Sequence, residues 1–217
     1  MDPTASLDRM IRSRHLLTHP FYQAWSKGEV PLSTLREYAA QYHHFEVNFP
    51  RYIAGTYARI QDPGRRRVLL DNLVDEAGRS PTHPELWQRF GRALGVSTPK
   101  LLATPPSPAT QRLLMVYERA ALNRTAASGL GALYAYESIF PEVAREKSRG
   151  LRENFGLRSK DAHEFFRVHT VADKEHSAAE RKLLAEEMRT PEGRREAMAS
   201  ARQSRDAWWG FLDAFQE

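Results

Sequence analysis

His169-Thr170-Val171-Ala172-Asp173-Lys174-Glu175-His176 is the stretch on which the reading of this chain turns. Its histidines and aspartate recur at i, i+4 and i+7, which on an α-helix places all three on one face. The stretch lies inside a helical pattern running from Ser159 to about Met188, so the spacing can be read in helical terms. Two imidazoles and a carboxylate form a borderline N/O donor set suited to iron or manganese. By itself the spacing also fits a solvated face, or core histidines satisfied by the aspartate.

Two further segments supply complementary donors. Asp62-Pro63 reads as the cap and first residue of a helix that ends at Gly78 and carries Asp75-Glu76 near its end. Thr82-His83-Pro84-Glu85 reads as a capping box, Thr82 at N-cap and Glu85 at N3, with His83 in the first turn of a helix to Leu94. Glu76 and His83 therefore flank a tight turn and can face one site. Glu137 closes an uncharged run from Leu130 to Tyr136. A carboxylate on a buried face is costly without a partner, and ligation supplies one. Glu76, His83, Glu137, His169, Asp173 and His176 together give three carboxylates and three imidazoles, enough for two metal ions. The set departs from the paired Glu-x-x-His of carboxylate-bridged bundles, because Ser138, Ile139 and Phe140 follow Glu137. Glu46 reads as a surface or ion-paired acid, with a seventh ligand as the alternative. His43 and His44 read as non-ligands, His15 and His19 as caps or packing, and Gly129 and Gly131 as places where helices approach closely.

The rest of the chain also reads as helix, with no strand-like alternation. A first helix is expected over about Ala5–Thr18, then a short helix or turn carrying Phe21, Tyr22 and Trp25. A long helix capped by Ser33 should kink at Pro50. Gly95–Pro108 reads as a loop, Ala109–Ser138 as one long helix interrupted at Pro141, and Thr190-Pro191 as the start of the last helix. The expectation is an all-α single domain, residues 1–217, with seven or eight helices around one core.

Composition narrows the chemistry. The 217 residues include no cysteine, which excludes disulfides, thiolate-ligated haem, iron–sulfur clusters and a cysteine nucleophile. The net charge is +5 and the pI about 9.6, but bases alternate with acids, as in Arg145-Glu146-Lys147. That pattern gives a dispersed basic surface rather than a nucleic-acid stripe. No apolar run approaches a membrane span, and residues 1–15, with Asp8, Arg9, Arg12 and Arg14, do not read as a signal peptide. A cytoplasmic location without membrane or nucleic-acid partners is expected.

Several short landmarks accompany the six donors: Trp25-Ser26-Lys27-Gly28-Glu29, Asp71-Asn72-Leu73, Ala93-Leu94-Gly95-Val96, Leu133-Tyr134, Tyr136-Glu137-Ser138 and Ala144-Arg145-Glu146-Lys147. Together they resemble the haem-oxygenase-like dimetal oxidases. Within these the chain is similar to the p-aminobenzoate synthase branch, that of the chlamydial protein associating with death domains and its bacterial relatives. The likeness runs from Phe21-Tyr22 to Gly210-Phe211-Leu212-Asp213. It implies a haem-oxygenase-like helical bundle, usually dimeric, holding two irons or iron with manganese through the six donors, and using dioxygen and an external reductant. In that branch, which serves folate biosynthesis, a tyrosine of the protein itself becomes the aromatic ring and a lysine is implicated as amine donor. The matching positions are Tyr22 for the ring, Lys147 for the amine and Tyr38 as an assisting tyrosine. Read without the resemblance, Lys147 belongs to an exposed mixed-charge run, and Tyr22, Tyr38, Tyr42, Tyr134 and Tyr136 are core aromatics. Dimerisation is implied by the family and by the apolar Trp208-Trp209 and Phe211. Two other readings stay open: an oxidase or oxygenase acting on an external small molecule, and a non-catalytic, death-domain-type interaction protein.

Overall fold

Side-chain caps decide where most helices start. Asp62, Thr82, Ser97, Ser107, Thr125, Ser159 and Thr190 each accept a hydrogen bond from a backbone N–H in the first turn of the helix that follows, satisfying donors that a helix N-terminus otherwise leaves unpaired. The structure is a computed structural model and describes residues 3–216. Residues 1, 2 and 217 of the expected domain lie outside the described residues. The helices are α1 (Ala5–Arg12), α2 (Pro20–Lys27), α3 (Leu32–Arg59), α4 (Pro63–Ala77), α5 (His83–Ala93), α6 (Thr98–Ala103), α7 (Pro108–Leu122), α8 (Ala126–Glu137), α9 (Phe140–Glu153), α10 (Lys160–Glu187) and α11 (Pro191–Asp213). No strand occurs among the described residues, and no described helix is long and apolar enough to cross a membrane.

Eight of these helices have eleven residues or more, and they make up the bundle the sequence pattern anticipates. The three short ones raise the total to eleven, and each difference has a local cause. The first helix stops at Arg12 rather than Thr18: the Ser13 hydroxyl donates back to the Met10 carbonyl, and His15 caps a separate 3-10 turn, Leu16–Thr18. His19 caps α2 in the same way, so both histidines are caps. Pro31, not Ser33, stands at the start of α3, and no side chain caps that end. Pro50 lies within α3, which continues to Arg59. The expected loop at Gly95–Pro108 contains α6, because Ser97 and Pro99 start a helix there. The long helix expected over Ala109–Ser138 is two helices, since the chain breaks after Leu122 and Thr125 caps a new start. Pro141 sits in the first turn of α9, where its missing N–H costs nothing.

All twelve residues of α8 are buried, which makes it the axis of the fold. It packs most extensively against α11, and also against α10, α7 and α3. Glycines permit this approach: a Cβ on Gly131 would lie 2.5 Å from the Ala197 carbonyl, and one on Gly129 would overlap Thr56. Trp208 and Phe211 are buried in the same core and offer no apolar surface to a partner, while Trp209 lies beneath the Arg14 guanidinium. On the other flank, Trp25 of α2 donates its indole N–H to the Lys147 carbonyl of α9 at 3.1 Å, fixing these two elements against each other.

Two glycine substitutions test this packing. Gly131→Ala should destabilise the protein by about 1–3 kcal/mol, because the added methyl meets backbone that cannot yield. Gly210→Ala should be neutral or stabilising by up to about 1 kcal/mol, since nothing lies within 4 Å of the new methyl and alanine is the better helix former. Urea denaturation of the two variants checks the contrast.

Candidate active site

Four helices deliver the six anticipated donors to one place. Glu76 comes from the last turn of α4 and His83 from the first residue of α5, across the turn that Thr82 closes with its capping box. Glu137 is the last residue of α8. His169, Asp173 and His176 project from the middle of α10. All six are buried, the most exposed being His176 at 7%. They fall into two groups, Glu76–His83–His169 and Glu76–Glu137–Asp173–His176, and within each the donor atoms lie within 4.8 Å of one another. Glu76 belongs to both, as a carboxylate bridging two ions would.

Six polar atoms of this cluster are not satisfied by the described residues. Both oxygens of Glu76, Nδ1 of His83, Oε2 of Glu137, Oδ2 of Asp173 and Nδ1 of His176 are buried without a hydrogen-bond partner, although His83 Nδ1 and Glu76 Oε2 are 2.8 Å apart. Buried polar groups normally find partners, so this concentration of orphans around one centre fits a missing cationic partner. His169 Nδ1 donates to the Phe165 carbonyl at 2.8 Å, which leaves Nε2 as its free donor atom. His176 Nε2 faces Asp75 Oδ2 at 3.2 Å, which leaves Nδ1 toward Glu137 and Asp173. The donor chemistry and the ring orientations fit two transition-metal ions.

A second buried cluster lies alongside. The Lys147 amine of α9 donates to the Tyr38 hydroxyl of α3 at 2.7 Å, and Tyr38 is in turn 2.8 Å from the Tyr22 hydroxyl of α2. Lys147 is only 1% exposed, and seven aromatic ring centroids lie 4.6–5.8 Å from its nitrogen. The exposed mixed-charge reading of Lys147 therefore fails: Arg145 faces solvent and Glu146 is partly exposed, while Lys147 turns inward. Phe140 joins the two clusters, its ring 5.5 Å from that of His169 and 5.4 Å from the Lys147 nitrogen. Tyr42 and Tyr136 share a 2.5 Å hydrogen bond between their hydroxyls, and Tyr136 immediately precedes Glu137. Tyr134 does not join them, since its hydroxyl donates to Asp8 of α1.

Residues 36–209 match the family described as iron-containing redox enzymes. The chain belongs to that family. It is 39% identical over 211 residues to the 4-aminobenzoate synthase of Chlamydia muridarum, covering 97% of this chain and 89% of that one. It is 36% identical over 220 residues to the 4-aminobenzoate synthase of Nitrosomonas europaea, with the same coverages. Among solved structures, a domain of unknown function with a heme oxygenase-like fold from Shewanella denitrificans superposes with a TM-score of 0.81 at 19% identity, covering 97% of this chain and 88% of that one. This family member is thus a metal-dependent oxidoreductase of all-α, haem-oxygenase-like fold.

Several residues around the site escaped the sequence reading. Glu46 is 2% exposed, not a surface acid. Burial pushes its carboxyl up, Glu76 adds to this, and Lys147 opposes it. It follows Tyr38 and Tyr42 at helical spacing, a row that could have marked it as inward-facing. Glu180 is fully buried and extends the stripe of His169, Asp173 and His176 by one more turn, so the same periodicity pointed to it. Asn72 donates to Glu137 Oε1 at 3.1 Å, and Asp75 orients His176. Neither role has a sequence signal, because both depend on how α4 lies against its neighbours.

The electrostatics are those of a site prepared for cations. Burial pushes the Asp173 carboxyl well above its usual range, with Glu137 and Glu76 adding to the effect. Burial, and then the neighbouring His83, hold the His169 imidazole well below its usual value, so it is a neutral donor. For His176 burial acts downward, but Glu137, Glu76 and Asp75 together raise it to about 9. Burial also drives Lys147 well below the ordinary ammonium value, against a weaker pull from Glu46, which favours the neutral amine.

Metal analysis tests the cluster. Glu76→Ala should lose both ions, because its carboxylate is common to the two groups. His169→Ala and Asp173→Ala should each lose at least one, and full occupancy in these variants would remove the assignment. Asp75→Asn should retain both ions with affinity weakened about 10–100-fold. The charge state of Lys147 is tested through stability. Its folded pKa lies below its unfolded value of about 10.4, so the native state binds fewer protons and stability rises with pH up to that value. Lys147→Met should be the more stable protein at neutral pH, and its advantage over the unsubstituted protein should shrink as pH approaches about 10, as read from denaturant midpoints across pH.

Proposed function

We propose that this protein makes p-aminobenzoate in an oxygen-dependent reaction in which its own Tyr22 side chain supplies the ring and Lys147 the amine. The observation that carries the reading is the buried hydrogen-bonded series Lys147–Tyr38–Tyr22 set against the six-donor cluster. The 36–39% identity to curated 4-aminobenzoate synthases supports it.

Glu76, His83, Glu137, His169, Asp173 and His176 would hold two ions, two irons or iron with manganese. Bound there, they supply dioxygen activation and oxidising power, with an external reductant as co-substrate. The protein's own residues set up the rest. Burial pushes the Tyr22 phenol up, opposed by its hydrogen bond to Tyr38, so Tyr22 keeps its proton until it is oxidised. The Tyr38 hydroxyl is placed to take that proton. Lys147, held as a neutral amine, presents a nitrogen lone pair in the same chamber, which an ammonium could not do. Tyr22, Tyr38 and Lys147 are each no more than 2% exposed, so water is kept from the reacting groups.

An external substrate is the competing reading, and packing favours the internal one. The space around the Lys147 nitrogen is filled by the rings of Tyr42, Trp87, Phe140 and Phe166, whereas a diffusing aromatic substrate would require a cavity there. We further propose that the chain acts as one domain, residues 1–217, forming a cytoplasmic homodimer; sedimentation as a monomer at high concentration would remove the dimer alone.

Reduced, metal-loaded protein exposed to oxygen should release p-aminobenzoate without added aromatic substrate, and ring-labelled tyrosine in the protein should appear in the product. Yield should stop near one product per chain, because each chain has one Tyr22. Tyr22→Phe and Lys147→Arg should each abolish release while metal content is kept. Many products per chain from a supplied substrate, with Tyr22→Phe active, would establish conventional catalysis instead.

A further inference from the structure

The metal cluster is buried, so ions need a way in. A cleft of about 180 Å³ opens between α4 and α10, and its inner wall includes His176, Asn72 and Glu180. His176 is the most exposed of the six donors. Its ring is held by Asp75, whose side chain is 46% exposed at the cleft. Asp71 and Glu175 stand in solvent beside it. Among the described residues no lysine or arginine lines the cleft, although the chain has 32 of them against 27 acids. A mouth carrying Asp71, Asp75 and Glu175 on a basic protein focuses cations toward one point.

A second observation gives the cleft an end point. Glu180 is fully buried, lines the inner wall, and neither of its carboxylate oxygens has a hydrogen-bond partner. It lies within hydrogen-bonding reach of Glu137, and burial together with that neighbour pushes its carboxyl well above the usual carboxylate range. Glu180 is outside both donor groups, so it is not needed to complete either one. It stands one helical turn beyond His176, between the cleft and Glu137.

We infer that this cleft is the loading port of the metal centre and that Glu180 is its transit ligand, taking a divalent cation from the Asp71–Asp75–Glu175 mouth and passing it to Glu137 and His176. The inference rests on the six-donor reading of the metal centre. A transit ligand acts on the barrier and not on the end state. Its loss must therefore slow uptake and release by the same factor and leave equilibrium occupancy unchanged.

Cobalt(II), followed anaerobically by its visible absorption, is the probe. Release from the loaded full-length protein into excess chelator, and uptake after the chelator is removed, give the two rates. Glu180→Gln should slow both by about tenfold, with two ions per chain at equilibrium and an unchanged absorption band. Ala179→Leu, which narrows the mouth without touching a carboxylate, should slow both as well, and it serves if Glu180→Gln does not fold. Asp71→Asn with Glu175→Gln should slow uptake at low salt, an effect that disappears at high salt. Unsubstituted rates in Glu180→Gln and Ala179→Leu would overturn the port. Fewer than two ions, or an altered band, in Glu180→Gln would make Glu180 a resident ligand and overturn its transit role. Failure of the unsubstituted protein to take up cobalt would count against the metal centre itself, and so is distinguishable from failure of the port.

Discussion

Confining carboxylates in a dry interior is the constraint around which this molecule is built. Two like charges roughly 4 Å apart repel by about 4 kcal/mol even at an effective dielectric constant near 20, and the buried acids here have few donors to offset that. Glu76, Glu137 and Asp173 converge with both oxygens of Glu76 and one oxygen each of Glu137 and Asp173 unpaired, and Glu46 and Glu180 are buried nearby. Such a cluster is tolerable when protons or cations occupy it. The fold gives up hydrophobic burial at the end of its most enclosed helix, α8, to place Glu137 there, and the helix termini of α4 and α5 bring Glu76 and His83 to the same point.

The same dryness serves the neighbouring cluster in the opposite sense. Desolvation that makes carboxylates hold protons makes a lysine lose one. Lys147 lies among aromatic rings with no carboxylate hydrogen-bonded to its nitrogen among the described residues, and Tyr38 is its polar contact. One low-dielectric interior thus produces two conditions side by side: a multiply acidic pocket for cations, and a lysine driven toward its neutral form beside the Tyr38 phenol. Phe140, packed against both His169 and Lys147, joins the two clusters.

Much of the fold is local chemistry. Caps at Asp62, Thr82, Ser159 and Thr190, prolines in first turns and the absence of alternating β-branched residues are enough to read an all-α bundle. Its inaccuracies lie where a competing local signal was weak. Thr125 starts a new helix inside a stretch that has no proline or glycine between Ala109 and Ser128 to mark a break, and Ser97 starts one inside a proline-rich loop.

The sequence by itself marked the six candidate donors, because three of them share one helical stripe and the other three sit at helix ends marked by capping or by loss of apolar pattern. The resemblance supplied Tyr22, Tyr38 and Lys147, which no periodicity distinguishes from core aromatics and a surface lysine. Only the tertiary structure decided that Lys147 points inward, that Glu46 and Glu180 are buried, and that Glu76 is common to both donor groups. The physical reason is that spacing along a helix fixes which side chains share a face. Which face is dry, and which carboxylate meets another across it, depends on how α3, α4, α8, α9 and α10 pack together.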